Sequence, residues 1–246
     1  MDEILLFAAV GFAAQLVDGA LGMAYGIVAT SVMLSLGIAP AIASASVHAA
    51  EVATTGVSGI AHWQFGNVDR ELFKRLVLPG MVGGAIGAYV LVSIPEGVIR
   101  PLVSAYLLIM GLIVLRKALR GRTDTGHGPR HLSVLGLGGG FLDAIGGGGW
   151  GPIVASTLLG NGTTPRYAIG SVNVAEFFVA ATISAAFVFT IGLQLWPIIA
   201  GLILGGALAA PLAAYMTRRL PARFLMVLVA LVVIGLSVRG LIQDFG

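Results

Sequence analysis

The stretch "FLDAIGGGGWG", residues 141–151, interrupts an apolar run with four consecutive glycines set between an aspartate and a tryptophan. Glycine costs about 1 kcal/mol per residue relative to alanine in a helix interior, so four in a row end a helix. The surrounding chain is 57% hydrophobic and 10% charged over 246 residues, with a mean hydropathy of +0.98. Soluble domains carry about 25% charged residues. This chain cannot cover a water-facing surface, and it reads as a polytopic, all-α membrane protein. The helix break therefore falls inside a membrane segment.

The break occurs twice. Shifting the sequence by 125 residues lays "LVDGALGMAYG" (16–26) over 141–151, pairing Asp18 with Asp143, Gly22 with Gly147, Tyr25 with Trp150 and Gly26 with Gly151. Pro40 then meets Pro165, Ser46 meets Ser171 and Glu51 meets Glu176. After a one-residue shift Gly80 meets Gly206 and Pro95 meets Pro221. Small-residue bias can imitate a repeat, but matched Asp, Pro and Glu at one offset mark a duplication. The expected units are 1–118, a basic linker 119–131, and 132–246.

Each half holds five apolar segments: 4–17, 26–38, 41–63, 76–93 and 98–116, then 132–145, 151–160, 166–190, 194–216 and 222–242. A full span needs about 20 residues. The second segment of each half is too short and the first is marginal. Each such pair is expected to form a broken, re-entrant hairpin, followed by three transmembrane helices. An odd number of crossings per half inverts one half relative to the other. Twelve of the fourteen basic residues then share one face, leaving Arg100 and Arg239 opposite. By the positive-inside rule both termini are expected on the periplasmic side. The N-terminus lacks a basic leader region and is expected to be retained.

Irregular backbone at membrane depth is tolerated only where protein buries it or it lines a cavity. A helix that restarts there presents N–H groups without intrahelical partners, carrying partial positive charge. Two restarts facing each other across the repeat make a cage for a small anion. Its expected lining is Gly22, Met23, Ala24, Tyr25 and Gly26 from the first half, with Gly147, Gly148, Gly149, Trp150 and Gly151 from the second. Asp18 and Asp143 are expected to cap the breaks. Glu51 and Glu176 sit in apolar stretches and must face the interior, as proton carriers or as structural tethers. Glu51 shares a helical face with Ser44, His48 and Thr55, and Glu176 shares one with Asn173. Ser46, His48, Ser171 and Asn173 complete the candidate substrate-binding set.

The chain has no cysteine, which excludes thiol catalysis and thiolate metal sites. No His, Asp and Glu set has metal spacing, and "GGGG" lacks the Lys-Ser/Thr of a phosphate loop. No nucleophile–base pair stands out, so an enzyme is not expected, and neither is a cofactor. The basic loops are an orientation signal and do not point to nucleic acid.

Two halves that each open on an Asp-to-Gly break with an aromatic-Gly restart, followed by Pro and a Ser…Glu helix, resemble the TauE/SafE sulfite-exporter family. The motifs are "DGALGMAYG", "LGIAPAIASASVHAAE", "DAIGGGGWGP" and "TTPRYAIGSVNVAEF". The resemblance covers essentially the whole chain. It implies outward transport of sulfite, thiosulfate or an organosulfonate across a bacterial inner membrane. An anion channel and an importer of the same substrates are the alternatives. The expected partners are the anion, the lipid bilayer and a coupling proton, with a homodimer left open.

Overall fold

The computed structural model describes residues 2–21, 23–120, 131–192, 196–217 and 222–245. Gly22, residues 121–130 of the expected linker, and Arg218 and Arg219 lie outside that set. The elements are α1 (Asp2–Leu21), α2 (Tyr25–Ser35), α3 (Pro40–Gln64), α4 (Arg70–Ser93) and α5 (Glu96–Arg120) in the first half. The second half has α6 (Leu132–Gly146), a π turn (Gly151–Ala155) leading into α7 (Ser156–Gly160), then α8 (Pro165–Ile191), α9 (Trp196–Thr217) and α10 (Ala222–Phe245). Among the described residues there is no strand.

Local chemistry accounts for the boundaries. Pro40 and Pro165 open α3 and α8 at the first helical position, where a missing N–H costs nothing. The Asp69 carboxylate caps α4, accepting from the N–H groups of Glu71 and Leu72 at 2.9 and 3.1 Å. The longest departure from the sequence reading is α1. It runs 20 residues, about 30 Å at 1.5 Å per residue, where a marginal segment over 4–17 was expected. The polar Asp18 does not stop it; the helix ends at Leu21.

Among the described residues, four helices are long and apolar enough to cross a membrane: α4, α5, α8 and α10, over Arg70–Ser93, Glu96–Leu119, Pro165–Ile191 and Arg223–Phe245. The outward face of α4 is Leu78, Val82, Ile86 and Tyr89, all exposed. A helix that shows apolar residues on its outside while its other face is buried suits lipid, not water. α3 is 25 residues long but less apolar, because Ser44, Ser46, His48, Glu51, Thr55 and Ser58 run along it. The protein is a multi-pass membrane protein.

The halves pack through one another. α1 lies on α9 and α4 lies on α6, which is the same contact made once from each half; α3 lies on α8 and α5 on α10. Glycines permit these approaches. A Cβ on Gly83 or Gly87 would strike the backbone carbonyl of Leu137 or Phe141 in α6, and one on Gly11 or Gly205 would strike Leu202 or Ala8 across the α1–α9 contact. Gly206 differs, since its nearest neighbour would be 3.8 Å away. Gly205→Val should therefore destabilise the detergent-solubilised protein by about 1–3 kcal/mol, the usual range for overpacking. Gly206→Ala should leave the melting temperature unchanged. Equal melting temperatures for the two variants would contradict the close α1–α9 packing.

Candidate functional site

Both breaks are built around an aspartate. In the first, α1 ends at Leu21 and α2 starts at Tyr25. The Asp18 carboxylate oxygen Oδ1 accepts from the N–H groups of Ala24 at 2.7 Å and Tyr25 at 3.1 Å. In the second, α6 ends at Gly146. Gly147 takes φ +64° and Gly148 φ +141°, conformations open to glycine. The Gly148 N–H returns to the Asp143 carbonyl at 3.1 Å, and Asp143 Oδ1 accepts from the Trp150 N–H at 2.9 Å. An acidic side chain at a helix start satisfies orphan donors and complements the helix dipole.

The two breaks touch. A Cβ on Gly26 would lie 2.6 Å from Gly148 Cα, and one on Gly151 would lie 2.9 Å from Met23 Cα. Thr30 Oγ1 in α2 donates to the Gly147 carbonyl at 2.5 Å. Tyr106 in α5 donates through its hydroxyl to the Gly148 carbonyl at 3.1 Å. Beside this contact lies a cavity of about 270 Å³. Of the expected cage residues, Met23, Ala24, Tyr25, Gly26, Gly149 and Gly151 line it, together with Asp18, Glu51, Asn173 and Glu176.

Three carboxylates thus line the cavity, while among the described residues no lysine or arginine does. Glu51 is 5% exposed, and its Oε2 has no hydrogen-bond partner. Its Oε1 would lie 2.9 Å from a Cβ on Gly26, so the carboxylate reaches the first restart. Asn173 is positioned by neighbours: its Oδ1 accepts from Ser58 Oγ at 2.9 Å, and its Nδ2 donates to the Ile169 carbonyl at 3.1 Å.

Other candidates lie away from the cavity lining. Gly147, Gly148 and Trp150 belong to the wall behind it. Trp150 is fully buried against Gly80 and donates through Nε1 to the Val172 carbonyl at 3.2 Å. Tyr25, its repeat counterpart, stays on the cavity and donates to the Leu202 carbonyl at 3.3 Å. His48 is fully buried: Nε2 lies 3.2 Å from Asp143 Oδ2 and Nδ1 lies 2.7 Å from the Ser44 carbonyl. Ser44 Oγ donates to the Ala144 carbonyl at 2.6 Å. Ser171 Oγ accepts from the Asp69 N–H at 2.9 Å, and Ser46 Oγ is buried without a partner. Gly22 lies outside the described residues.

The cavity also takes in Gln15, Thr54, Ser58 and His62, which are not among the residues expected at the site. Their signal was present. Glu51, Thr54 or Thr55, Ser58 and His62 recur at three- and four-residue intervals, one stripe of α3. Gln15 precedes Asp18 by one turn.

The family model for the sulfite exporter TauE/SafE matches residues 7–240. The chain is 41% identical over 254 aligned residues to the "Probable membrane transporter protein YtnM" of Bacillus subtilis (strain 168), covering all of this chain and 85% of that protein. No solved structure matches it. The chain belongs to the TauE/SafE sulfite exporter family and is a membrane transporter, not an enzyme.

The caps differ in what else they hold, and stability should show it. Losing a cap costs about 0.5–2 kcal/mol. Asp143→Ala also leaves the buried His48 Nε2 without its partner, a further cost of about 1–3 kcal/mol. Asp18 faces the cavity, where water can replace it. The melting temperature should fall more for Asp143→Ala than for Asp18→Ala; the reverse order would contradict the latch between His48 and Asp143.

Proposed function

We propose that this TauE/SafE transporter carries a small sulfur oxyanion or organosulfonate in the cavity between its two helix breaks, outward across the bacterial inner membrane. The observation that carries this reading is the position of the cavity, which lies where two interrupted helices face each other. Gly26 and Ile27 hold the next donors of the first turn of α2 after the two that Asp18 takes, and both line the cavity. Gly149 and Gly151 bring the second restart to the same space. The side chains of Tyr25 and Asn173 add fixed polar groups.

In this reading the two halves, 1–118 and 132–246, are inverted about the cavity, with both termini outside and the basic linker inside. The reciprocal packing of α1 on α9 and α4 on α6 supports it, as does the sided distribution of the basic residues. Anion export is already favoured by the membrane potential, at about 2.3 kcal/mol per charge per 100 mV. Coupling would serve a different need. An oxyanion entering beside three carboxylates meets like charge, and a proton taken up with it by Glu51 or Glu176 would turn a repelling carboxylate into a donor. Glu51 suits this role because one of its oxygens has no partner.

The same lining favours a second reading, a cation bound by Asp18, Glu51 and Glu176. One experiment separates them. In proteoliposomes loaded with labelled sulfite, wild-type efflux should rise when the lumen is more acidic than the bath, and Glu51→Gln should lose that stimulation. Equal rates with and without the gradient would remove the coupling role. Thermal stabilisation by sodium but by none of sulfite, thiosulfate or sulfoacetate would replace the anion with a cation, since ligands stabilise the state they bind.

A further inference from the structure

Lys117 lies near the end of α5, and its Nζ donates to the Pro152 carbonyl at 3.0 Å. Pro152 belongs to the π turn and lines the cavity, so the ammonium stands one peptide group behind the cavity wall. Ser156 Oγ donates to the same carbonyl. Tyr106, three turns earlier on α5, donates to the Gly148 carbonyl, so α5 holds the second break at two points. π turns recur at functional sites.

Lys117 is half-buried and pairs with no carboxylate among the described residues. Arg75 and Arg100, in contrast, each have an acidic partner. A partly buried ammonium without a counter-ion is unfavourable until negative charge approaches it. Among the described residues, the cavity in front of it holds three carboxylates and no basic side chain except His62. The charge that an oxyanion needs is therefore present, but displaced behind the backbone.

We infer that Lys117 supplies the counter-charge for the bound oxyanion, as a positioning residue acting through Pro152. The inference rests on the oxyanion reading. Bound to an ammonium and a hydroxyl, the Pro152 carbonyl has its negative end compensated, and the surplus positive potential reaches the cavity with little screening. Lys117 of α5 thus adds its charge to the site from behind the second break.

Two substitutions separate charge from hydrogen bonding. Lys117→Gln keeps an N–H donor for the Pro152 carbonyl and removes the charge; Lys117→Arg keeps both. In sulfite exchange by proteoliposomes, Lys117→Gln should raise the half-saturation concentration at least about tenfold. The ligand-free melting temperature should not fall, and Lys117→Arg should restore the affinity. Wild-type half-saturation in Lys117→Gln, or equal impairment of both variants, overturns the inference while leaving the oxyanion reading intact. Absence of sulfite exchange by the wild-type protein overturns both. Lys117→His gives a further readout within one folded chain. Its half-saturation relative to wild type should fall as the pH drops and the imidazole gains charge, and a flat ratio contradicts the role.

Discussion

Interrupting a helix at membrane depth leaves backbone N–H and C=O groups that lipid cannot satisfy, so each must meet a protein group or line a cavity. The architecture around the cavity follows from that constraint. Asp18 and Asp143 take the donors at the two restarts. The hydroxyls of Thr30 and Tyr106 donate to the carbonyls of Gly147 and Gly148. Those hydroxyls come from α2 and α5 of the first half, which places the second break between elements of its partner repeat. The interlocked packing of the halves is what makes both breaks tolerable.

The two breaks are chemically related but unequal. The second is enclosed: its aspartate is 2% exposed and touches His48, and its tryptophan is fully buried. The first keeps Asp18, Met23, Ala24 and Tyr25 on the cavity. The run of glycines therefore gives the second break closeness of approach more than free donors. Gly148 accepts Gly26 against its Cα, and a side chain at either position would separate the two breaks. The cavity lining comes mostly from the first break, from the stripe along α3, and from Asn173 and Glu176 of α8.

Much of the helical layout was legible because the signals are local. Pro40 and Pro165 mark helix starts, the glycine run marks a stop, and hydrophobic length marks the spans. The recurrence of Asp, Pro and Glu at one offset is matched by the reciprocal contacts of α1 with α9 and α4 with α6. The roles within α3 were less so. Ser44 and His48 share a helical face with Glu51, yet they hold the second break while Glu51 and Thr55 line the cavity. A long helix passes different neighbours at each turn, and periodicity reports the face without the neighbour. Tyr25 and Trp150 show the same limit. They are matched in sequence, but the larger ring fills a space left by Gly80 and Gly139, which lie on α4 and α6. The contribution of Lys117 was hidden for the same reason, since its partner is a backbone carbonyl 35 residues away.

The proposal that cargo binds between the breaks is tested most directly by locating an oxyanion in the protein. Selenite is a chemical analogue of sulfite and scatters anomalously. An anomalous difference map from crystals grown with selenite should show its strongest ligand peak in the cavity, among Gly26, Glu51, Gly151 and Asn173. A peak confined to the basic surface, with the cavity empty at saturating selenite, would contradict the account.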